Sequence, residues 1–236
     1  MKRLIFLAAL LLGGCSKSCD GWWQSRQLRS YDEAVQEATK ALGSGKSDAD
    51  RAAALVKRAR ALAEKARYSR FFQKDPLEES QRLFELALKD HEAAIALEPQ
   101  SAEQVHQRGL TYYSRAFQLP PSEGVDRTAG ILALSDFTTA VGIDERHVMA
   151  HDFRGLTNLG LGNLDAAIAD FEKELKLDPK IGSLRLSDAL CERGLKNLKE
   201  ERRALARADF ERSIAMGDSR IGCSCDPHGP LAKLKD

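Results

Sequence analysis

Aromatic residues make up only 6% of the chain, and neither sign of charge dominates, with 36 Lys and Arg facing 35 Asp and Glu. Scarce aromatic and β-branched side chains beside abundant Ala, Leu, Arg, Glu and Lys argue for helix. No alternating apolar and polar stretch reads as a strand. A formal net charge of +1 excludes a strongly basic nucleic-acid binder, and 43% hydrophobic residues exclude a polar, highly charged disordered chain. Also missing are a glycine-rich phosphate loop, a nucleophile elbow and a paired-carboxylate constellation, so no catalytic residue, cofactor or metal is expected. At 236 residues, one large or two ordinary domains would fit.

What is present begins at the N-terminus. Lys2 and Arg3 precede nine apolar residues from Leu4 to Leu12, then two glycines and Cys15. Residues 1–14 read as a signal peptide, too short to be a spanning helix. Leu12-Gly13-Gly14-Cys15 resembles the lipobox of bacterial lipoproteins. The resemblance implies cleavage before Cys15 and lipidation of that cysteine with acyl chains such as palmitate, which anchor the protein in the lipid bilayer. Each buried CH₂ is worth about 0.8 kcal/mol, so several chains hold where one would be marginal. Ser16 stands where an aspartate is associated with inner-membrane retention, which implies an outer-membrane, periplasm-facing protein. Residues 15–30 look like a tether, with Trp22 and Trp23 placed either at the lipid interface or under the first helix.

The chain repeats itself. Arg-Gly-Leu occurs at Arg108, Arg154 and Arg193, followed downstream by Ala-x-x-Asp-Phe from Ala133 to Phe137, Ala167 to Phe171 and Ala206 to Phe210. The alanines are 34 and 39 residues apart, and the first copy carries a 12-residue insertion near 117–128, where Pro120 and Pro121 would break a helix. Helices are expected over 31–43, 47–73, 76–97, 102–117, 128–143, 147–161, 164–177, 185–199 and 202–216. These repeats resemble the tetratricopeptide repeat, most clearly from Val148 to Pro179. The resemblance implies an all-α solenoid of stacked helix-turn-helix units. In it Gly109, Gly155 and Gly194 on the first helix and Ala133, Ala167 and Ala206 on the second allow close crossing, while Phe137, Phe171 and Phe210 fill the space behind them. It covers 100–217 as three units and 31–99 loosely, with His91 in the aromatic position and residues 52–66 as partner of the helix ending at Leu97. Residues 218–236 are expected to cap the stack.

His147 and His151 share the spacing of a metalloprotease motif, but Val148 occupies the position of its glutamate, so structural histidines are the better interpretation. Cys191, Cys223 and Cys225 invite two interpretations. A tail folded over the end of the stack could bring Cys223 or Cys225 to Cys191 as a disulfide in an oxidising compartment. Alternatively, Cys223, Cys225 and His228 could hold a metal with Cys191 as fourth ligand, making a metal-dependent envelope protein.

Family positions two, five, nine and twelve commonly face the concave groove. Carried over by phase, they are Glu103, His106, Leu110 and Tyr113; Met149, Asp152, Leu156 and Leu159; and Asp188, Cys191, Leu195 and Leu198. Seven of the twelve are Leu, Tyr or Met, so an exposed groove would favour an apolar peptide segment of another envelope protein. The resemblance thus implies a non-enzymatic scaffold or assembly factor. The other outcome is that leucines at positions nine and twelve are covered.

Overall fold

The computed structural model describes residues 17–72, 77–117, 124–179, 183–216, 228–232 and 234, with side chains described from Ser25 onward except at 71, 72 and 183. Among them every regular element is a helix, and the chain divides into two compact units. One comprises Met1–Glu98 with Leu119–Gly124, the other Pro99–Gln118 with Val125–Asp236.

The first unit holds α1 (Lys17–Ser44), α2 (Asp48–Phe72) and α3 (Leu77–Leu97). Helix α2 starts on a reciprocal cap: Ser47 Oγ accepts from the Asp50 amide at 3.0 Å, and the Asp50 carboxylate accepts from the Ser47 amide at 3.1 Å. An alanine stripe on α2 then lets α3 approach closely. Ala59, Ala63 and Ala66 pack with Leu83, Phe84 and Ala87, while Ala52 and Leu55 pack with Ala94 and Leu97. Lys65 reaches Asp32 on α1 at 2.6 Å.

Residues 17–30, expected as a tether, belong to the 28-residue helix α1. That segment has one glycine and no proline, so nothing in it stops a helix seeded at 31–43 from propagating towards the N-terminus. Cys15 lies outside the described residues. No described helix is long and apolar enough to cross a membrane.

The second unit contains three hairpins. They are α4 (Ala102–Phe117) with α5 (Arg127–Ile143), α6 (Val148–Leu161) with α7 (Leu164–Leu177), and α8 (Ser183–Lys199) with α9 (Arg203–Ala215); a short α10 (His228–Ala232) follows. Within it, α5 packs on α6, α7 on α8, and α4 also touches α6. Asp126 caps α5 by accepting from the Ala129 amide at 3.0 Å. Gly162 ends α6 in the left-handed conformation at φ 85°. The equivalent turn between α8 and α9 uses Glu201 at φ 59°, with the same bonding pattern: Asn163 N to Asn158 O and Arg202 N to Asn197 O, both 2.8 Å.

Candidate functional site: the repeat hairpins and their first-helix face

The glycine of each Arg-Gly-Leu lies against the phenylalanine of its own hairpin. A Cβ built on Gly109, Gly155 or Gly194 would stand 2.7, 2.6 or 2.6 Å from ring carbons of Phe137, Phe171 or Phe210. Those rings are fully buried, as are Ala133, Ala167 and Ala206, so there is no room for the ring to retreat. The small residue is therefore a steric requirement of the crossing.

The arginine and aspartate flanking that contact form an ion pair across each hairpin, a role the repeated sequence displayed without revealing. Arg108 Nε and Nη2 donate to Asp136 at 2.9 and 2.7 Å, Arg154 to Asp170 at 3.0 and 2.6 Å, and Arg193 to Asp209 at 3.1 and 2.6 Å. The first unit repeats the device, with Arg58 on Asp90 at 2.7 and 2.6 Å. Each carboxylate is nearly buried and held by a two-pronged guanidinium, the geometry in which such pairs are strongest. Asp170 also accepts from Asn158, and Asp209 from Asn197.

The residues assigned to the groove divide three ways. Met149 and Glu103 are exposed, and Leu110, Tyr113, Leu156, Leu159, Asp188, Leu195 and Leu198 are half-buried. His106, Asp152 and Cys191 are buried at 3%, 1% and 1% exposure and so do not line an open groove. His106 is enclosed by the rings of Phe137, His147 and Phe153, with centroids 5.6, 4.8 and 5.9 Å away. Asp152 is covered by Arg185, which pairs with it from the first turn of α8. Leu156 and Leu159 rest on the core of Ala167, Ile168, Phe171, Leu186, Ala189 and Leu190. Leu195 and Leu198 rest on Cys191, Ala206 and Phe210, a cluster joined by Leu231 and Leu234 of the tail. Cys191 is disulfide-bonded, which removes it as a metal ligand; Cys223 and Cys225 lie outside the described residues.

His151 packs inside its hairpin, with Nε2 3.1 Å from the Glu145 carbonyl and Nδ1 3.4 Å from Asp170. His147 caps α6 instead: Nδ1 accepts from the Ala150 amide at 3.1 Å, so Nε2 carries the proton and donates to Glu103 at 3.2 Å. That bond holds the Glu103 carboxyl down at about 2 and raises His147, while burial pushes His106 down to about 4. Sequence spacing gave no sign of this cluster, because Glu103 and His147 are 44 residues apart. A cleft of about 690 Å³ also opens between the α6–α7 turn, α8 and α9, lined by Asn163, Asp165, Arg193, Lys196 and Arg202 among others.

Residues 150–181 match the family model of the tetratricopeptide repeat. A 119-residue stretch is 27% identical to serine/threonine-protein phosphatase 5 of Homo sapiens and of Rattus norvegicus, covering 46% of this chain and 24% of those enzymes. The chain thus spans about a quarter of the curated relatives it matches. Among solved structures, the MamA RS-1 ArsTM double mutant is similar with a TM-score of 0.51 and 17% identity, over 86% of this chain and 94% of that one. The class is therefore an all-α fold of the tetratricopeptide-repeat solenoid type. The α6–α7 hairpin is the copy in which the repeat is clearest, and α4–α5 and α8–α9 carry the same glycine, aromatic and ion-pair contacts.

Proposed function

We propose that this protein is a non-enzymatic scaffold or assembly factor of the bacterial cell envelope, held in the outer membrane by acylated Cys15 and facing the periplasm. The observation that carries the binding role is the first-helix face of the second unit. There Leu110 and Tyr113 on α4 remain half-exposed and Met149 on α6 is 43% exposed. Apolar residues left at the surface by hairpins that already satisfy their own interiors suit an apolar peptide segment of another envelope protein. The Cys191 disulfide supports an oxidising compartment, and the Leu12-Gly13-Gly14-Cys15 motif supports the anchor.

Two measurements test the proposal separately. Cys15→Ala is expected to abolish palmitate incorporation and move the protein out of the detergent phase; an unchanged partition would overturn the anchor. A Met149→Glu variant is expected to lose a cross-linked envelope partner that the parent protein retains, with thermal unfolding nearly unchanged because Met149 is 43% exposed. Retention of the same partner by the variant would overturn the assignment of this face.

A further inference from the structure

The contact between the start of α4 and the turn before α6 brings together two imidazoles and a carboxylate. Glu103 Oε2 lies 3.2 Å from His147 Nε2 and 3.9 Å from His106 Nδ1, and the three ligand atoms all fall within 4.8 Å of one another. His106 is the unusual member. It is 3% exposed, and neither ring nitrogen has a hydrogen-bond partner. A neutral imidazole carries one N–H and one lone pair, so this ring leaves both unanswered in a place where water cannot reach them freely. Its plane is fixed by the surrounding aromatic rings, and its Nδ1 faces the carboxylate at a distance too long for a hydrogen bond.

That distance suits two ligands sharing a cation. Bonds of about 2.1 Å at a tetrahedral angle place ligand atoms roughly 3.4 Å apart, against 3.2 and 3.9 Å on the two edges that Glu103 makes and a third edge within 4.8 Å. We infer that Glu103, His106 and His147 form a binding site for a divalent transition-metal ion of the zinc class, joining the first hairpin of the second unit to the next, with a water in the fourth position. Two nitrogen donors and one carboxylate favour zinc, cobalt, nickel or copper over magnesium or calcium. Glu103 is the exposed member, so the site opens on the solvent side.

Loading rearranges one proton. His147 now accepts from the Ala150 amide at Nδ1; with the metal on Nε2, the ring proton moves to Nδ1 and a neutral ring loses none overall. The Ala150 amide keeps its second acceptor, the His147 carbonyl at 3.0 Å. The site is therefore formed from residues already in place, at the expense of the side-chain cap on Ala150 and of the His147–Glu103 hydrogen bond, which the two metal bonds replace.

The test uses the full chain after chelation, titrated with Zn²⁺ and with Co²⁺ as a spectroscopic probe. One equivalent is expected to bind, to raise the unfolding temperature, and to give Co²⁺ visible bands without thiolate charge transfer. Glu103→Gln and His147→Asn, the latter retaining a helix-capping side chain, are each expected to weaken binding by more than the roughly 10–100-fold typical of losing an outer partner. His106→Phe, which keeps a ring among Phe137 and Phe153, is expected to do the same. Absence of stoichiometric binding, unchanged affinity in Glu103→Gln and His147→Asn, or thiolate bands placing the ion on cysteine would each overturn the inference.

Discussion

The first unit has Ala59 and His91 where the second has glycine and phenylalanine three times over, yet both units use the same arginine–aspartate pair. The ion pair keeps its place in each hairpin, while the residue after the arginine and the residue after the aspartate both change identity. By the phase of the repeat, a smaller ring at the position matching Phe171 accompanies a larger residue at the position matching Gly155, a change that would keep the volume balanced. The difference teaches that the repeat is defined by complementarity between positions rather than by residue identity at any one of them.

Removing a carboxylate tests the shared part most severely. Asp170→Ala strands the guanidinium of Arg154 and takes an acceptor from Asn158, and a loss of roughly 3–5 kcal/mol in denaturant unfolding is expected. If the loss were below that of an ordinary surface substitution, the pair would be incidental. The exchanged part is tested by a double-mutant cycle. Gly155→Ala should cost about 1–3 kcal/mol by driving a methyl into Phe171. In the first unit, His91→Phe should cost a similar amount beside Ala59 and be partly rescued by Ala59→Gly; additive effects would mean the two positions do not form a matched set.

Smaller effects distinguish the hairpins of the second unit from one another. Seven residues after the small residue of each second helix stand Ala140, Glu174 and Ser213. Ser213 bonds to Ser187 at 2.9 Å, whereas Glu174 is fully buried with neither oxygen partnered. Burial, reinforced by Asp178, raises its carboxyl above the usual range. A raised folded value means that its contribution is favourable below the unfolded pKa and is lost as pH climbs through the folded one. Glu174→Gln should therefore stabilise by about 1 kcal/mol at neutral pH and by nothing in acid, as measured by unfolding across pH. Glu201→Gly, matching the α8–α9 turn to Gly162, should add up to about 1 kcal/mol by relieving a left-handed residue that carries a Cβ.

Most of the helix boundaries were legible in the chain because Arg-Gly-Leu and Ala-x-x-Asp-Phe mark fixed points and prolines and glycines mark the turns. The misses are where contacts are non-local. Arg185, the first residue of the helix expected over 185–199, covers Asp152 on α6, and repeat phase places that residue on its own helix without showing which neighbour its long side chain reaches. His106 has the position of a groove residue but is surrounded by rings from α5 and the start of α6. The start of α1 was missed because polar, helix-compatible residues carry no apolar period to read.

The arginine and aspartate of one hairpin are separated by 16 residues in the α6–α7 and α8–α9 hairpins, by 28 in α4–α5, and by 32 in α2–α3. The clamp closes whatever the length of chain between its jaws. Since doubling a flexible loop costs only about 0.6 kcal/mol, the long α4–α5 connection is the natural splice point, where foreign sequence can be carried without shifting the register of the helices on either side.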